Sequence, residues 1–111
     1  MSASFFRYLP YSEGFELNSL IQYLDGGVQS RALVQRDAFS LTMFSFDAKE
    51  GISEYEMQGE TWIIVNEGDV EVCIEEKTYT MKTDDSIAVP FGALLSIDAI
   101  SKAKVTMMIL K

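Results

Sequence analysis

The stretch GISEYEMQGETWIIVNEG, Gly51 to Gly68, decides how the chain is read. It leaves a glycine turn, crosses a polar loop, enters Trp62-Ile63-Ile64-Val65 and stops at Asn66-Glu67-Gly68. A short apolar run closed by turn residues predicts a strand buried on both faces, and so a central strand of an all-β core.

Working outward, the same rhythm holds on both sides. Val28, Ser30, Ala32 and Val34 alternate with Gln29, Arg31, Leu33 and Gln35, and Phe39 to Phe46 forms the next strand. After Gly68, Val70, Val72 and Ile74 alternate with Glu71, Cys73 and Glu75. A tight turn at Glu76-Lys77 then leads into Thr78–Lys82, completing a hairpin. Ile87-Ala88-Val89, Leu94 to Ile100 and Val105 to Leu110 supply the remaining strands. Strands recurring roughly every 8–12 residues predict a sandwich or barrel. Ahead of them, Phe15, Leu17, Leu20, Ile21 and Leu24 recur at helical spacing and predict one short helical turn, ended by Asp25-Gly26-Gly27. Residues 1–16 read as an N-terminal extension and 17–111 as a single domain. The aromatics of the extension either lie over the barrel or reach a second subunit.

Composition narrows the function. In 111 residues the net charge is −8, which disfavours nucleic acid and anionic membrane surfaces. No window approaches the roughly 18 apolar residues of a membrane span. A single cysteine, Cys73, cannot close an internal disulfide, which fits a cytoplasmic location. The chain contains no histidine, so the commonest metal ligand and the usual partner of a nucleophilic cysteine are both missing. The acidic residues fall at turns and on the polar positions of strands, as a solvated face does.

Two segments resemble the two motifs of the cupin superfamily, in its small single-domain form. The first is Gly51 to Gly68. The second is DDSIAVPFGALL, Asp84 to Leu95, where Pro90 and Gly92 keep the family's frame. The likeness runs over about residues 17–110 and implies a cupin-type double-stranded β-helix, a jelly-roll barrel. In that frame the family's histidine and glutamate ligands fall on Tyr55, Met57, Thr61 and Leu95, with Glu60 one residue out of step. Asp84 replaces a glycine. A phenol, a thioether, a hydroxyl and an isobutyl group do not replace imidazoles and a carboxylate, so neither metal nor other cofactor is expected.

The resemblance points Tyr55, Met57, Thr61, Ile63 and Leu95 into the barrel mouth with Phe91 near its rim, and turns Trp62 and Ile64 outward. Three readings follow. The mouth binds a small apolar or aromatic molecule oriented by Tyr55 and Thr61. Alternatively it has closed around Met57 and Leu95, leaving an interaction or scaffold module. A third option is a metal-independent isomerase or lyase using Tyr55 with Glu54, Glu56 or Glu60. No lysine or arginine lies between Gly51 and Gly68, which disfavours anionic substrates. An outward Trp62 beside Ile64 needs cover, from the N-terminal segment or from a second copy, and a homodimer is expected.

Overall fold

The computed structural model describes residues 4–111, so residues 1–3 of the predicted extension lie outside the described residues. Among the described residues, nine strands follow a 3₁₀ turn at Leu17–Leu20: β1 Val28–Gln35, β2 Phe39–Phe46, β3 Gly51–Glu56, β4 Glu60–Glu67, β5 Asp69–Ile74, β6 Lys77–Lys82, β7 Ser86–Val89, β8 Leu94–Ala99 and β9 Ala103–Leu110. They form two antiparallel sheets. One has the order β1-β2-β9-β4-β7 and the other β3-β8-β5-β6. Phe46, Ile63, Val65, Val72, Leu95 and Ile97 meet between them, each with no exposed surface.

The chain changes sheets at Gly68, between β4 and β5. Its φ is +89°, and a Cβ there would overlap the Lys102 carbonyl oxygen. Only a residue without a side chain turns this corner at no steric cost.

Several expectations change on the structure. β4 alternates between buried and exposed positions: Thr61, Ile63 and Val65 are buried, while Trp62 is 48% exposed. It is therefore buried on one face within this chain, and β9, not β4, is the middle strand of its sheet. The polar segment after Gly51 is a strand, β3, at a sheet edge with four exposed residues; such a strand carries little apolar alternation to read. The hairpin turn falls at Glu75 and Glu76 (φ 49° and 71°), with Lys77 already in β6. In β1 the register shifts between Ala32 and Val34, so Leu33 and Val34 are both buried instead of alternating. The helical spacing of Phe15–Leu24 yields only the 3₁₀ turn. Leu20 and Ile21 find the sheet, whereas Leu17 and Leu24 stay about half exposed.

Residues 9–24 cross the outer face of the five-stranded sheet as a strap. Leu9, Leu20 and Ile21 pack on Leu33, Leu41 and Met43, a second apolar cluster separate from the interior. Polar side chains of the sheet pin its carbonyls. Arg31 donates to Leu20 O (3.0 Å), Ser45 and Gln29 to Gln22 O (2.7 and 2.9 Å), and Lys104 to Asn18 O (2.6 Å). Tyr23 at the end of the strap donates to the Glu67 carboxylate. These bonds satisfy backbone groups of a segment too irregular to pair with itself.

Candidate functional site

Four of the six predicted site residues form the packed end of the barrel interior. Thr61 and Ile63 point inward from β4, and Leu95 points inward from β8. Met57 follows β3, where the loop after β7 grips it: its N–H donates to Ala93 O and its carbonyl accepts from the Gly92 N–H, both at 2.9 Å. The two motif-like segments thus meet at this residue. Met57, Thr61, Ile63 and Leu95 are 1%, 2%, 0% and 0% exposed. The Thr61 hydroxyl lies 3.1 Å from Gly59 O and 3.2 Å from Met57 Sδ, so its one proton is used within the chain.

Tyr55 stands at the edge of this group. It pairs with Leu95 across the β3–β8 ladder, and its hydroxyl donates to Met107 Sδ of the opposite sheet at 3.6 Å. Burial pushes its phenol above the usual value, yet the residue remains 38% exposed. Phe91 is different: on the loop between β7 and β8 it is 70% exposed and stands largely in solvent. On β4 Thr61 is inward and its neighbour Glu60 is outward and exposed.

This arrangement has limited chemistry. The Tyr55 hydroxyl is bonded to a thioether, not to Glu54, Glu56 or Glu60, all three of which are exposed. A phenol shifted upward by burial is a weaker base catalyst at neutral pH. Nor do a protonated phenol, a thioether, a hydroxyl and an isobutyl group make a donor set for a divalent ion. Among the described residues, no group of three or more His, Cys, Asp or Glu is placed to hold a metal.

A second feature lies on the outer face. Where the strap ends, a groove of about 480 Å³ is lined by Glu60, Thr61, Trp62, Ala88, Val89, Pro90, Met108 and Leu110. Trp62 sits opposite Met108 on one side and Ala88 on the other. Sequence reading found Trp62 but missed Met108 and Leu110. The signal was available in β9, where Lys104, Thr106, Met108 and Leu110 share the face opposite Val105 and Met107.

Two antiparallel sheets joined in this order around a closed interior define a jelly roll, and the chain is a small single-domain cupin by fold. It is similar over 100% of its length to a conserved protein of unknown function from Streptococcus pyogenes, with 97% of that chain covered, TM-score 0.95 and 22% identity. A cupin superfamily protein from Desulfitobacterium hafniense matches 95% of this chain and 96% of its own, with TM-score 0.91 and 27% identity. An RmlC-like cupin from Desulfovibrio desulfuricans matches at TM-score 0.77 and 17% identity, over 90% of this chain and 97% of its own. No family model and no curated protein matches the sequence. Among the described residues, no helix is long and apolar enough to cross a membrane.

Proposed function

We propose that this chain is a non-catalytic cupin whose former ligand positions are taken by Tyr55, Met57, Thr61 and Leu95, and that it works by association. One observation carries the reading: Met57, Thr61 and Leu95, on three different segments, are each at most 2% exposed, with the Thr61 hydroxyl turned onto Met57 Sδ and Met57 and Leu95 in one core cluster. Interiors packed this way have little room for a guest.

A small apolar or aromatic ligand is the second reading, and Tyr55 supports it. Its hydroxyl has a weak sulfur partner at 3.6 Å and part of its ring is still wet, so a guest at the mouth would find one orienting donor.

Thermal unfolding of the purified protein with millimolar indole or phenol separates the two. Unchanged melting of the wild type, together with no stoichiometric transition metal by elemental analysis, is the expected result. A saturable rise in melting temperature would remove the filled-interior reading. Loss of that rise in Tyr55→Phe would establish the second one.

A further inference from the structure

The tip of the β1–β2 hairpin, residues 36–38, carries a surface that the barrel interior does not use. Backbone bonds close this tip: Arg36 N–H donates to Phe39 O at 2.8 Å and Phe39 N–H to Arg36 O at 3.3 Å. The N-terminal arm lies beside it, tied to β1 by Arg7 N–H to Leu33 O at 2.7 Å. Arm and hairpin together enclose an open cavity of about 320 Å³, lined by Phe5, Phe6, Val34, Arg36 and Phe39. Its size falls at the lower end of the roughly 300–1,000 Å³ of small-molecule sites.

Packing against the sheet does not use up this lining. Val34 is buried, but Phe5 and Phe6 are 55% and 47% exposed. Single exposed phenylalanines are ordinary, whereas two of them bordering one cavity with Phe39 make a continuous wet apolar wall.

Charge says what the wall would hold. The net charge is −8, yet all three arginines of the chain gather at this arm. Arg7 lies within it, the Arg31 guanidinium is 4.2 Å from the Tyr8 ring, and that of Arg36 is 4.2 Å from the Phe5 ring. Among the described residues, Arg36 is the one ionisable group lining the cavity. A ring against a guanidinium restrains it and leaves the N–H groups at its edge for an acceptor. Those groups form a planar fork that matches a carboxylate with two parallel hydrogen bonds.

We propose that this cavity binds a small arylalkanoic acid, its carboxylate on the Arg36 fork and its ring among Phe5, Phe6 and Phe39. Three phenylalanines offer offset and edge-to-face contacts to a ring, which a plain alkyl chain cannot make, and a cavity at the small end of the range suits one ring. An amine would meet the Arg36 charge unfavourably, and an alcohol would leave the fork half used. The site is on the outside of the barrel, so it stands or falls independently of how the interior is filled.

The test is a titration of isotopically labelled protein with phenylpropanoate, followed by amide chemical shifts. Saturable shifts are expected at residues 5–8 and 33–39, with Met57, Thr61 and Leu95 unmoved. Phenylpropanol and phenylpropylamine share the ring, and hexanoate shares the carboxylate; each should bind at least about fivefold more weakly. Arg36→Gln, at an exposed position where the fold should survive, should weaken phenylpropanoate by about tenfold. Phe6→Ala should weaken it severalfold, and Asp37→Asn should tighten it by removing the negative charge next in sequence. No saturable shift at millimolar phenylpropanoate would overturn the site, as would equal binding by Arg36→Gln, by the alcohol or by hexanoate. Shifts at Met57 and Thr61 instead would overturn it too, and would place the guest at the barrel mouth.

Discussion

Leu95→Ala tests the packed interior at its least exposed point. The side chain has no accessible surface and lies inside the main core, opposite Tyr55 and on the face of β8 that also carries Ile97 and Ala99. The substitution removes three carbons, worth about 2.4 kcal/mol in transfer at about 0.8 kcal/mol per carbon. A residual cavity on the order of 60 Å³ adds about 1.5 kcal/mol at about 24 cal/mol per Å³. The expected loss is therefore about 4 kcal/mol. Urea unfolding followed by far-ultraviolet circular dichroism measures it, with wild type and variant at the same protein concentration so that self-association does not distort the comparison. The midpoint should fall while the slope stays constant. A loss under about 1 kcal/mol would refute the reasoning, because a side chain bordering an open, hydrated chamber forfeits little when shortened.

Three further outcomes follow from the structure. Gly68→Ala should cost roughly 2–4 kcal/mol by denaturant titration, combining left-handed strain with overlap at the Lys102 carbonyl; an undiminished midpoint would contradict the corner geometry. Glu76→Gly should instead stabilise by about 1 kcal/mol, since φ of 71° suits glycine better than glutamate, and a lower midpoint would count against it. The Tyr23 phenol is held above its usual 10.0 by burial first, then by its hydrogen bond to Glu67 and that carboxylate's charge. An acid with a raised folded-state pKa contributes stability that is complete below the unfolded value and lost as pH rises from about 10 upward. Tyr23→Phe should show a shallower alkaline loss of stability in the same titration, and an unchanged slope would remove the contact from the account.

Much of the fold was legible because side-chain period reports which face of a strand is buried. Val28–Gln35 and Phe39–Phe46 were bounded correctly, and the inward set Thr61, Ile63 and Val65 was separated from the outward Trp62. The same signal failed for β3, whose GISEYE is exposed at an edge and therefore carries no apolar rhythm. It also failed at Leu33, where an irregularity in β1 turns two successive side chains to the buried side. At Glu75-Glu76 a left-handed pair is built without the glycine or asparagine that normally announces one.

The candidate site divides along the same line. Residue identities alone exclude imidazole, and the resemblance to the cupin motifs drew attention to Tyr55, Met57, Thr61 and Leu95. Their burial depends on the approach of two sheets: Met57 is gripped by the loop at Ala93, and Tyr55 reaches Met107 across the interior. The groove depends on the tertiary arrangement still more, since Trp62, Ala88 and Met108 come from three strands brought together by ladder pairing. By itself the sequence determined an all-β chain, because side-chain alternation is local and repeats every two residues. Only the tertiary structure decided which half of the outer sheet the strap covers and which half stays wet, because that depends on contacts between residues far apart in the chain.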